Sequence, residues 1–157
     1  MNLQNSTELT GIANTSFGEV FNFISDLENF YPDFYLWFHN KVINGVTSDN
    51  RKIITKRALS GEICAIAILK KHTFEKKICT LRVAKEFKGI GLGAELMEES
   101  INWLDCKTPH ITVNEENITE FTSFLKKFNY LEPIKVDGYY RADKAEFFYN
   151  PPKKFFI

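Results

Sequence analysis

The chain has 157 residues, of which 44% are hydrophobic and 25% are charged, and this size and composition predict one globular domain over residues 1–157. Its 20 Lys and Arg balance its 20 Asp and Glu, which argues against a nucleic acid bound over a whole face and permits a homodimer. No apolar run is long enough to cross a membrane, and the first residues lack the pattern of a signal peptide. We therefore expect a cytoplasmic protein with no membrane partner.

The cysteines and histidines do not predict a metal site. Cys64, Cys79 and Cys106 are widely spaced, and the three histidines are scattered, so no group has the spacing of metal ligands. We interpret the three cysteines as reduced thiols, the first two as small core residues.

Hydrophobic patterns in the first half of the chain predict one strand, two helices and three further strands. Ser16 precedes Glu19 by three residues, which is the pattern of a capping box at a helix start. The continuous apolar run from Ile63 to Leu69 is typical of a strand that is covered on both faces. In chain order, the predicted elements are a strand at 8–13, helices at 17–28 and 34–42, the second ending before Asn44 and Gly45, and strands at 51–59, 62–70 and 77–83.

The second half of the chain predicts a helix, a strand, a second helix and a final hairpin. Ala94, Met97, Ile101 and Leu104 recur at helical spacing and predict the buried stripe of the first of these helices. The predicted elements cover residues 91–104, 110–113, 117–128 and 134–149. Together with the first half, this order indicates an α/β or α+β domain with a single crossover connection.

Three alternating glycines, Gly89, Gly91 and Gly93, lie directly after a predicted strand and at the start of a helix. Glycine permits a positive φ and leaves no Cβ between the backbone amides and a ligand, and the first amides of a helix point outward without partners. An anion such as a pyrophosphate fits this arrangement, and Lys88 adds a positive charge at its rim. The alternative is a turn whose glycines serve only steric needs.

Two other phosphate-binding motifs fit this turn poorly. A P-loop requires a Lys-Ser or Lys-Thr pair directly after its last glycine, and the turn has none. A dinucleotide-binding fingerprint requires a later third glycine within a repeated βαβ architecture, whereas only one crossover is predicted here.

The stretch from Leu81 to Leu96 resembles the signature motif of the GNAT superfamily of N-acetyltransferases. In that motif a strand ending in valine and an aromatic residue precede the pattern Arg/Gln-x-x-Gly-x-Gly/Ala. Lys88, Gly91 and Gly93 match the pattern, with Lys88 in place of the usual Arg or Gln. The proline that is common after the strand is absent.

A second stretch is similar to the next motif of the same family. Asn117 matches its asparagine before a helix, and Asn129 and Tyr130 stand for its Gly-Phe pair. The resemblance implies the fold of that family: a mixed, mostly antiparallel central sheet of about six to seven strands, flanked by about four helices and splayed between the fourth and fifth strands.

The resemblance also implies acetyl-CoA as the cosubstrate, with no metal. Its pantetheine arm would lie between the strand that ends at Val83 and the strand at 111–113, held by backbone groups of Leu81 and Val83. The residues that the resemblance implies for cosubstrate binding are Leu81, Arg82, Val83, Lys88, Gly89, Ile90, Gly91, Leu92, Gly93, Ala94 and Asn117.

The general acid is not assigned by the resemblance. Many relatives use a tyrosine in the helix after the asparagine, and here that position falls on Phe124 or Leu125, neither of which has a proton to give. Ser123 is adjacent, although a serine in a helix is more often solvated. The last hairpin borders the acceptor site in this fold, so its tyrosines either donate a proton or pack as aromatic strand residues. The candidate catalytic residues are therefore Tyr140, Tyr139 and Ser123, and Tyr149 has the same two interpretations.

Charged residues near the site are interpreted as structural. We expect Arg141 to pair with Glu146 across the last hairpin. The candidates for a base are Glu62 and Glu75, interpreted as surface charges at strand ends, His72, interpreted as solvated, and His110, interpreted as structural. An amine can also lose its proton through a chain of waters, so activity does not require one of these side chains.

Three hypotheses remain open from the sequence. The first is an enzyme that transfers an acetyl group from acetyl-CoA to a primary amine of a small molecule or a peptide by direct attack in a ternary complex. The second, which rests on the missing tyrosine, is a non-catalytic CoA-binding or protein-interaction module. The third is a growth-inhibiting acetyltransferase that acts on a macromolecule such as charged tRNA, against which the neutral charge argues.

Overall fold

The computed structural model describes residues 3–8 and 15–156, which form a seven-stranded sheet in the order β1-β2-β3-β4-β5-β7-β6. All neighbouring strands are antiparallel except β4 and β5, which are parallel. The predicted mixed, mostly antiparallel sheet is confirmed. The strands are β1 (Leu3–Glu8), β2 (Arg51–Ala58), β3 (Ile63–His72), β4 (Glu75–Val83), β5 (His110–Asn114), β6 (Ile134–Asp137) and β7 (Ala145–Tyr149).

In the described part of the chain, four helices flank this sheet. The first is α1 (Phe17–Ile24), which a 3₁₀ turn at Ser25–Asn29 continues; the second is α2, made of Phe34–Trp37, a π-helical segment at Phe38–Val42 and Ile43–Thr47; the others are α3 (Leu92–Leu104) and α4 (Ile118–Lys126). Ser16 caps α1 as predicted, because its Oγ accepts a hydrogen bond of 3.1 Å from the amide of Glu19.

The sheet separates two hydrophobic cores, and β3 contributes to both. Ala65 and Ala67 pack with residues of α3 and α4, whereas Ile66 and Ile68 pack with residues of α1 and α2. Successive side chains of a strand point to opposite faces. This explains why the sequence of β3 is apolar without interruption.

One predicted boundary is wrong, and one predicted strand lies mostly outside the described residues. The predicted strand at 8–13 falls mostly on residues that the structure does not describe, and β1 ends at Glu8. The second helix does not stop before Asn44 and Gly45 but continues to Thr47. Gly45 is buried within the helix, and a Cβ there would lie 2.6 Å from Cδ of Arg51, so this glycine permits close packing rather than ending the helix.

The buried stripe of α3 also differs from the prediction. Met97 and Leu104 are buried as expected, but Ala94 and Ile101 are only partly buried. The rest of the buried face comes from Leu92, Leu96 and Ser100. The stripe is rotated because α3 faces β3 and β4. The buried hydroxyl of Ser100 donates a hydrogen bond to the carbonyl of Leu96.

The parallel strands β4 and β5 part soon after they meet. Their only two pairs are Lys77 with His110 and Ile78 with Ile111, although β4 continues to Val83. A register shift in the pairing of β3 with β4 makes Cys79 the extra residue of a bulge, because Leu69 pairs with Ile78 and Ile68 with Thr80. The implied splay between the fourth and fifth strands is therefore confirmed.

Candidate active site

The glycine-rich turn holds two glycines in a conformation that other residues rarely adopt. Gly89 and Gly91 have φ angles of 83° and 92°, and a Cβ at either position would have no atom within 4 Å. Steric crowding therefore does not explain them. Gly93 differs, since its φ is not positive and a Cβ there would lie 3.4 Å from Cε2 of Phe124. The first two glycines thus serve the backbone path, and the third admits a close neighbour.

The turn leads directly into the N-terminus of α3. Gly91 is the residue before the helix, and the first hydrogen bond of the helix runs from the amide of Glu95 to the carbonyl of Gly91. The amides of Leu92, Gly93 and Ala94 precede that bond and have no acceptor within the helix. They form a positively polarised site that suits an anion.

Lys88 lies at the rim of the turn, where Nζ is 2.9 Å from Oε1 of Glu120 on α4. Both side chains are largely exposed, so this pair contributes little to stability. The bridge spans the entrance between the turn and α4. An anion bound at the turn would compete with Glu120 for the lysine.

Phe124 lies at the cleft that opens between β4 and β5. Its ring contacts the position of Gly93, which also lies close to Val83. Leu125, by contrast, is fully buried in the core between the sheet and α3. Of the two residues left open by the sequence, Phe124 is therefore the one that lies beside the glycine-rich turn.

Arg82 and Asn117 each have a polar group that is already hydrogen-bonded within the protein. The guanidinium of Arg82 donates two hydrogen bonds to the carboxylate of Asp26, which ties β4 to the end of α1 and leaves the backbone of Arg82 for other contacts. Asn117 precedes α4, and its backbone N–H donates to Oδ1 of Asn114 at 3.0 Å. This bond fixes the start of α4 against the end of β5.

A polar cluster lies where β5 pairs with β7. Glu146 is 2% exposed and is paired in register with Asn114, the last residue of β5. The hydroxyl of Tyr31 donates to its Oε1 at 3.0 Å. Burial raises the pKa of Glu146 to about 7, despite the opposing effects of the Tyr31 hydrogen bond and the charges of Arg141 and Lys77. A carboxyl group with this pKa can exchange protons near neutral pH.

The rings of Tyr139 and Tyr140 contact each other edge-on at 4.6 Å, but their other neighbours differ. The ring of Tyr140 meets that of Tyr31 edge-on at 5.1 Å, which brings Tyr140 into the cluster with Glu146. Tyr139 packs instead against Phe148 at 4.9 Å. Both lie in the connection between β6 and β7 rather than in a strand.

The two other hydroxyls considered from the sequence lie apart from this cluster. Tyr149 is buried and shares a hydrogen bond of 2.9 Å with Thr122 of α4, so its hydroxyl joins β7 to that helix. Ser123 is exposed on α4. Tyr140 is therefore the one of the three candidate catalytic residues that touches a partner of the buried carboxyl.

The expected pair between Arg141 and Glu146 is wrong. Arg141 instead donates from both terminal nitrogens to the carboxylate of Glu116, at 2.7 Å each, and its guanidinium carbon lies 5.6 Å from the ring centre of Phe30. Glu146 faces inward toward Tyr31, while Arg141 reaches the loop before α4. The bridge holds the connection between β6 and β7 over the polar cluster.

Glu75 is not the surface charge that the sequence suggested. It is buried, with Oε1 2.6 Å from Nζ of Lys70 and Oε2 3.1 Å from Nδ1 of His110. The hydrogen bond from His110 lowers the pKa of Glu75 well below its usual range, and burial lowers the pKa of His110. This pair joins the start of β4 to the start of β5, while Glu62 and His72 are exposed.

Glu146 was not predicted from the sequence as a member of a site. The signal for Glu146 was available, because it is the one charged residue in the otherwise apolar segment Ala145–Tyr149, and a buried acid needs a reason. No sequence pattern paired Tyr31 with Glu146, because the two residues lie 115 positions apart.

Two further features of the described residues bear on function. They contain no group of three His, Cys, Asp or Glu side chains that could hold a metal ion. Nor does any helix among them combine the length and hydrophobicity that a membrane crossing requires.

Comparison with known proteins finds similarity at the level of structure alone. No known family model matches the sequence, and no curated protein matches it. Three similar solved structures are a protein from Pyrococcus horikoshii (TM-score 0.66, 16% identity, 94% of this chain and 97% of that chain), a GNAT-family acetyltransferase from Streptococcus pneumoniae (TM-score 0.63, 15% identity, 94% and 98%) and a GNAT-family acetyltransferase from Elizabethkingia anophelis with acetyl-CoA bound (TM-score 0.53, 14% identity, 69% and 80%). The chain therefore has a GNAT-type fold.

Proposed function

We propose that this protein is an acyl-CoA-dependent N-acetyltransferase that moves an acetyl group from acetyl-CoA to a primary amine by direct attack in a ternary complex. The observation that carries the proposal is the turn with Gly89 and Gly91 at positive φ, which leads into α3 beside the opening between β4 and β5. The similarity in fold to acetyltransferases, one of them with acetyl-CoA bound, supports the same assignment.

In this proposal the turn and the first amides of α3 bind the diphosphate of acetyl-CoA. The groups involved are the backbone amides from Gly89 to Ala94, and no Cβ at Gly89 or Gly91 shields them. Lys88 exchanges Glu120 for a phosphate oxygen. The acetyl-CoA supplies the thioester carbon that the amine attacks.

The pantetheine arm lies along the edge of β4 that faces the opening. Beyond Ile78 this edge has no strand partner, so backbone groups from Leu81 to Val83 are available to amides of the arm. Asn117, just before α4, and Phe124, within α4, close the opposite side of the cleft.

Glu146 is the proposed general base. When ionised, its carboxylate accepts a proton from the ammonium group of the acceptor, and Tyr31 keeps Oε1 oriented through its hydrogen bond. The free amine then attacks the thioester carbon, so that a C–N bond forms and the C–S bond breaks. The nitrogen of the new C–N bond then releases one further proton to solvent, which leaves a neutral amide.

Tyr140 is the proposed donor to the departing thiolate. Its ring is in contact with Tyr31, and its hydroxyl, which interacts with the Lys77 ammonium, carries a proton that it can donate. Tyr139 and Ser123 are weaker candidates because one packs against Phe148 and the other is exposed.

A release assay for free CoA thiol tests this function. The protein is incubated with acetyl-CoA and a panel of amines that includes polyamines, amino acids and N-terminal peptides. We expect thiol release that requires an amine and falls about 100-fold or more in Glu146→Gln, the loss typical for a general base. Tyr139→Phe is the control and keeps its rate.

A second candidate function is a non-catalytic CoA-binding module. The specific observation in its favour is Phe124, which occupies the cleft wall without a hydroxyl. Binding of acetyl-CoA with no thiol release across the whole panel favours this second function and contradicts the first.

A further inference from the structure

Three cationic side chains stand side by side on one face of the sheet, at the end of the strands away from the glycine-rich turn. Arg51 of β2 pairs in register with Lys70 of β3, and Lys70 pairs with Lys77 of β4. Directly paired residues of antiparallel strands lie on the same face, and like charges at such positions are destabilising. We call these three residues the cation row.

The cation row forms part of the lining of a cavity of about 490 Å³ beneath α2. Trp37, Asn40 and Asn44 of α2 provide the facing wall. The wall therefore offers an aromatic face and amide donors opposite three positive charges. This combination suits an anionic ligand rather than a cation.

Among the described residues, an acidic side chain makes an ion pair with one member of the cation row, Lys70. Glu75 is the one acidic residue that lines the cavity, and it is already in contact with Lys70, His110 and Lys154. Among the described residues, no carboxylate lies within 4.0 Å of the charged nitrogens of Arg51 or Lys77.

Arg51 is held in position without an anion. Its Nη1 lies 3.3 Å from Sγ of Cys79, and its guanidinium carbon lies 5.9 Å from the ring centre of Trp37. A cation fixed by an aromatic ring and a thiol keeps further N–H donors for a ligand. The fixed geometry reduces the entropy that binding would otherwise lose.

The cavity adjoins the reaction site proposed above. Cys79, which lines it, is the bulge residue of β4 where β4 and β5 begin to part. Lys77, another lining residue, interacts with the hydroxyl of Tyr140. Lys77 thus connects the cavity to Tyr140, whose ring contacts Tyr31 in the cluster with Glu146.

We infer that this cavity binds a carboxylate or phosphate group of the acceptor, so that the acceptors of this enzyme are primary amines that also carry an anionic group. The inference rests on the proposed function. The cation row holds the anionic end of the acceptor, and the amino group is left to face Glu146.

A binding measurement that does not depend on catalysis tests the cavity. In a Trp103→Phe background the remaining tryptophan is Trp37, whose fluorescence reports on the cavity alone because the turn at Gly91 lies elsewhere. Inorganic phosphate and succinate serve as separate probes. We expect a saturable change with at least one of them, weakened about 10-fold or more by Arg51→Gln and by Lys77→Gln, the loss typical for a hydrogen bond to a charged group.

The matched control is Lys76→Gln, which removes the same charge from the neighbouring position, where Nζ donates to the carbonyl of Asp105. Binding that is unchanged in this variant and weakened in the other two supports the inference. No saturable change with either probe, or equal weakening in all three variants, overturns it. The difference between phosphate and succinate identifies the anionic group.

A second measurement connects the cavity to turnover. Each ω-amino acid and each ω-aminoalkyl phosphate is compared with the alkylamine of the same chain length. We expect a kcat/KM at least about 10-fold higher for the anionic member in at least one of the two series, a ratio that Arg51→Gln abolishes. Equal values for both members of every pair overturn the inference while leaving the proposed function intact. If no amine is acetylated, the proposed function fails, and the fluorescence measurement still decides whether the cavity binds anions.

Discussion

At the scale of single residues, the buried carboxyl of Glu146 links stability to pH. Its pKa is raised from 4.5 to about 7 by burial, while Tyr31, Arg141 and Lys77 oppose the rise and Glu116 adds to it. The folded protein therefore holds this proton more tightly than the unfolded chain. The stabilisation is fully present below about pH 4.5 and is lost as the pH rises through 7.

Glu146→Gln should remove this dependence, because the amide cannot ionise and still accepts the hydrogen bond of Tyr31. Relative to wild type, we expect the variant to gain about 3 kcal/mol in free energy of unfolding between pH 4.5 and pH 8, from the size of the pKa shift. Urea denaturation of both proteins across this range measures it. A constant difference between the two proteins would contradict the assignment.

Tyr31→Phe changes the pH dependence of activity in a defined direction. The Tyr31 hydrogen bond favours the ionised form of Glu146, so its loss raises the pKa of the base. We expect the acid limb of the profile of kcat/KM to move up by roughly one to two pH units. Tyr139→Phe serves as the control, since Tyr139 packs on Phe148. A limb that stays in place would show that Glu146 is not the base.

The structural roles of some of these residues could be predicted from the sequence, and those of others could not. Ser16, Gly89 and Gly91 act through local backbone geometry, which local sequence patterns encode. The pair of Arg141 with Glu116 spans 25 residues, and the sequence favoured a nearer hairpin partner for the arginine. Long-range polar contacts of this kind depend on the relative positions of the strands, which local sequence patterns do not predict.

At the scale of elements, the close approach of α2 to β2 depends on Gly45. A Cβ at this position would lie 2.6 Å from Cδ of Arg51 and from Oδ1 of Asn50, which is closer than nonbonded atoms approach. Because the Arg51 contact is to the middle of its side chain, Gly45→Ala must shift the arginine or the helix. The helix therefore passes through a glycine that the sequence suggested would end it.

Gly45→Ala should destabilise the protein by about 1–3 kcal/mol, the usual cost of overpacking a core. Gly18→Ala is the matched control in α1, where the nearest atom to the new Cβ would be Oγ of Ser16 at 3.9 Å. We expect that variant to be more stable by about 0.5–1 kcal/mol, since alanine favours a helix over glycine. Thermal unfolding compares the two. If both variants gain stability, the close packing at Gly45 is not required.

The elements themselves followed from hydrophobic periodicity, apart from their ends. The helix at α3 and the strand at β3 are long and strongly patterned, and both were found within about two residues of their predicted bounds. The register shift that makes Cys79 a bulge left no mark in the pattern of β4. Bulges and register are set by pairing between strands, which periodicity along one strand does not record.

At the scale of the whole molecule, the proposed function assigns the two binding tasks to different faces of the sheet, on either side of the opening within it. The glycine-rich turn and α3 lie beside one core, and Tyr31 packs against the other. The parting of β4 from β5 connects the two sides. This arrangement allows a donor and an acceptor to approach from different sides, as a direct transfer between them requires.

The most direct test of the account is the binding of acetyl-CoA at the glycine-rich turn, measured by isothermal titration calorimetry. Gly91→Glu places a side chain and a negative charge among the amides at the start of α3, whereas Gly61→Glu adds the same side chain at a glycine of similar φ, 97°, in the turn between β2 and β3. We predict saturable binding to the wild type and to Gly61→Glu, and none to Gly91→Glu. An absence of binding to the wild type, or equal binding to all three proteins, would contradict the central claim.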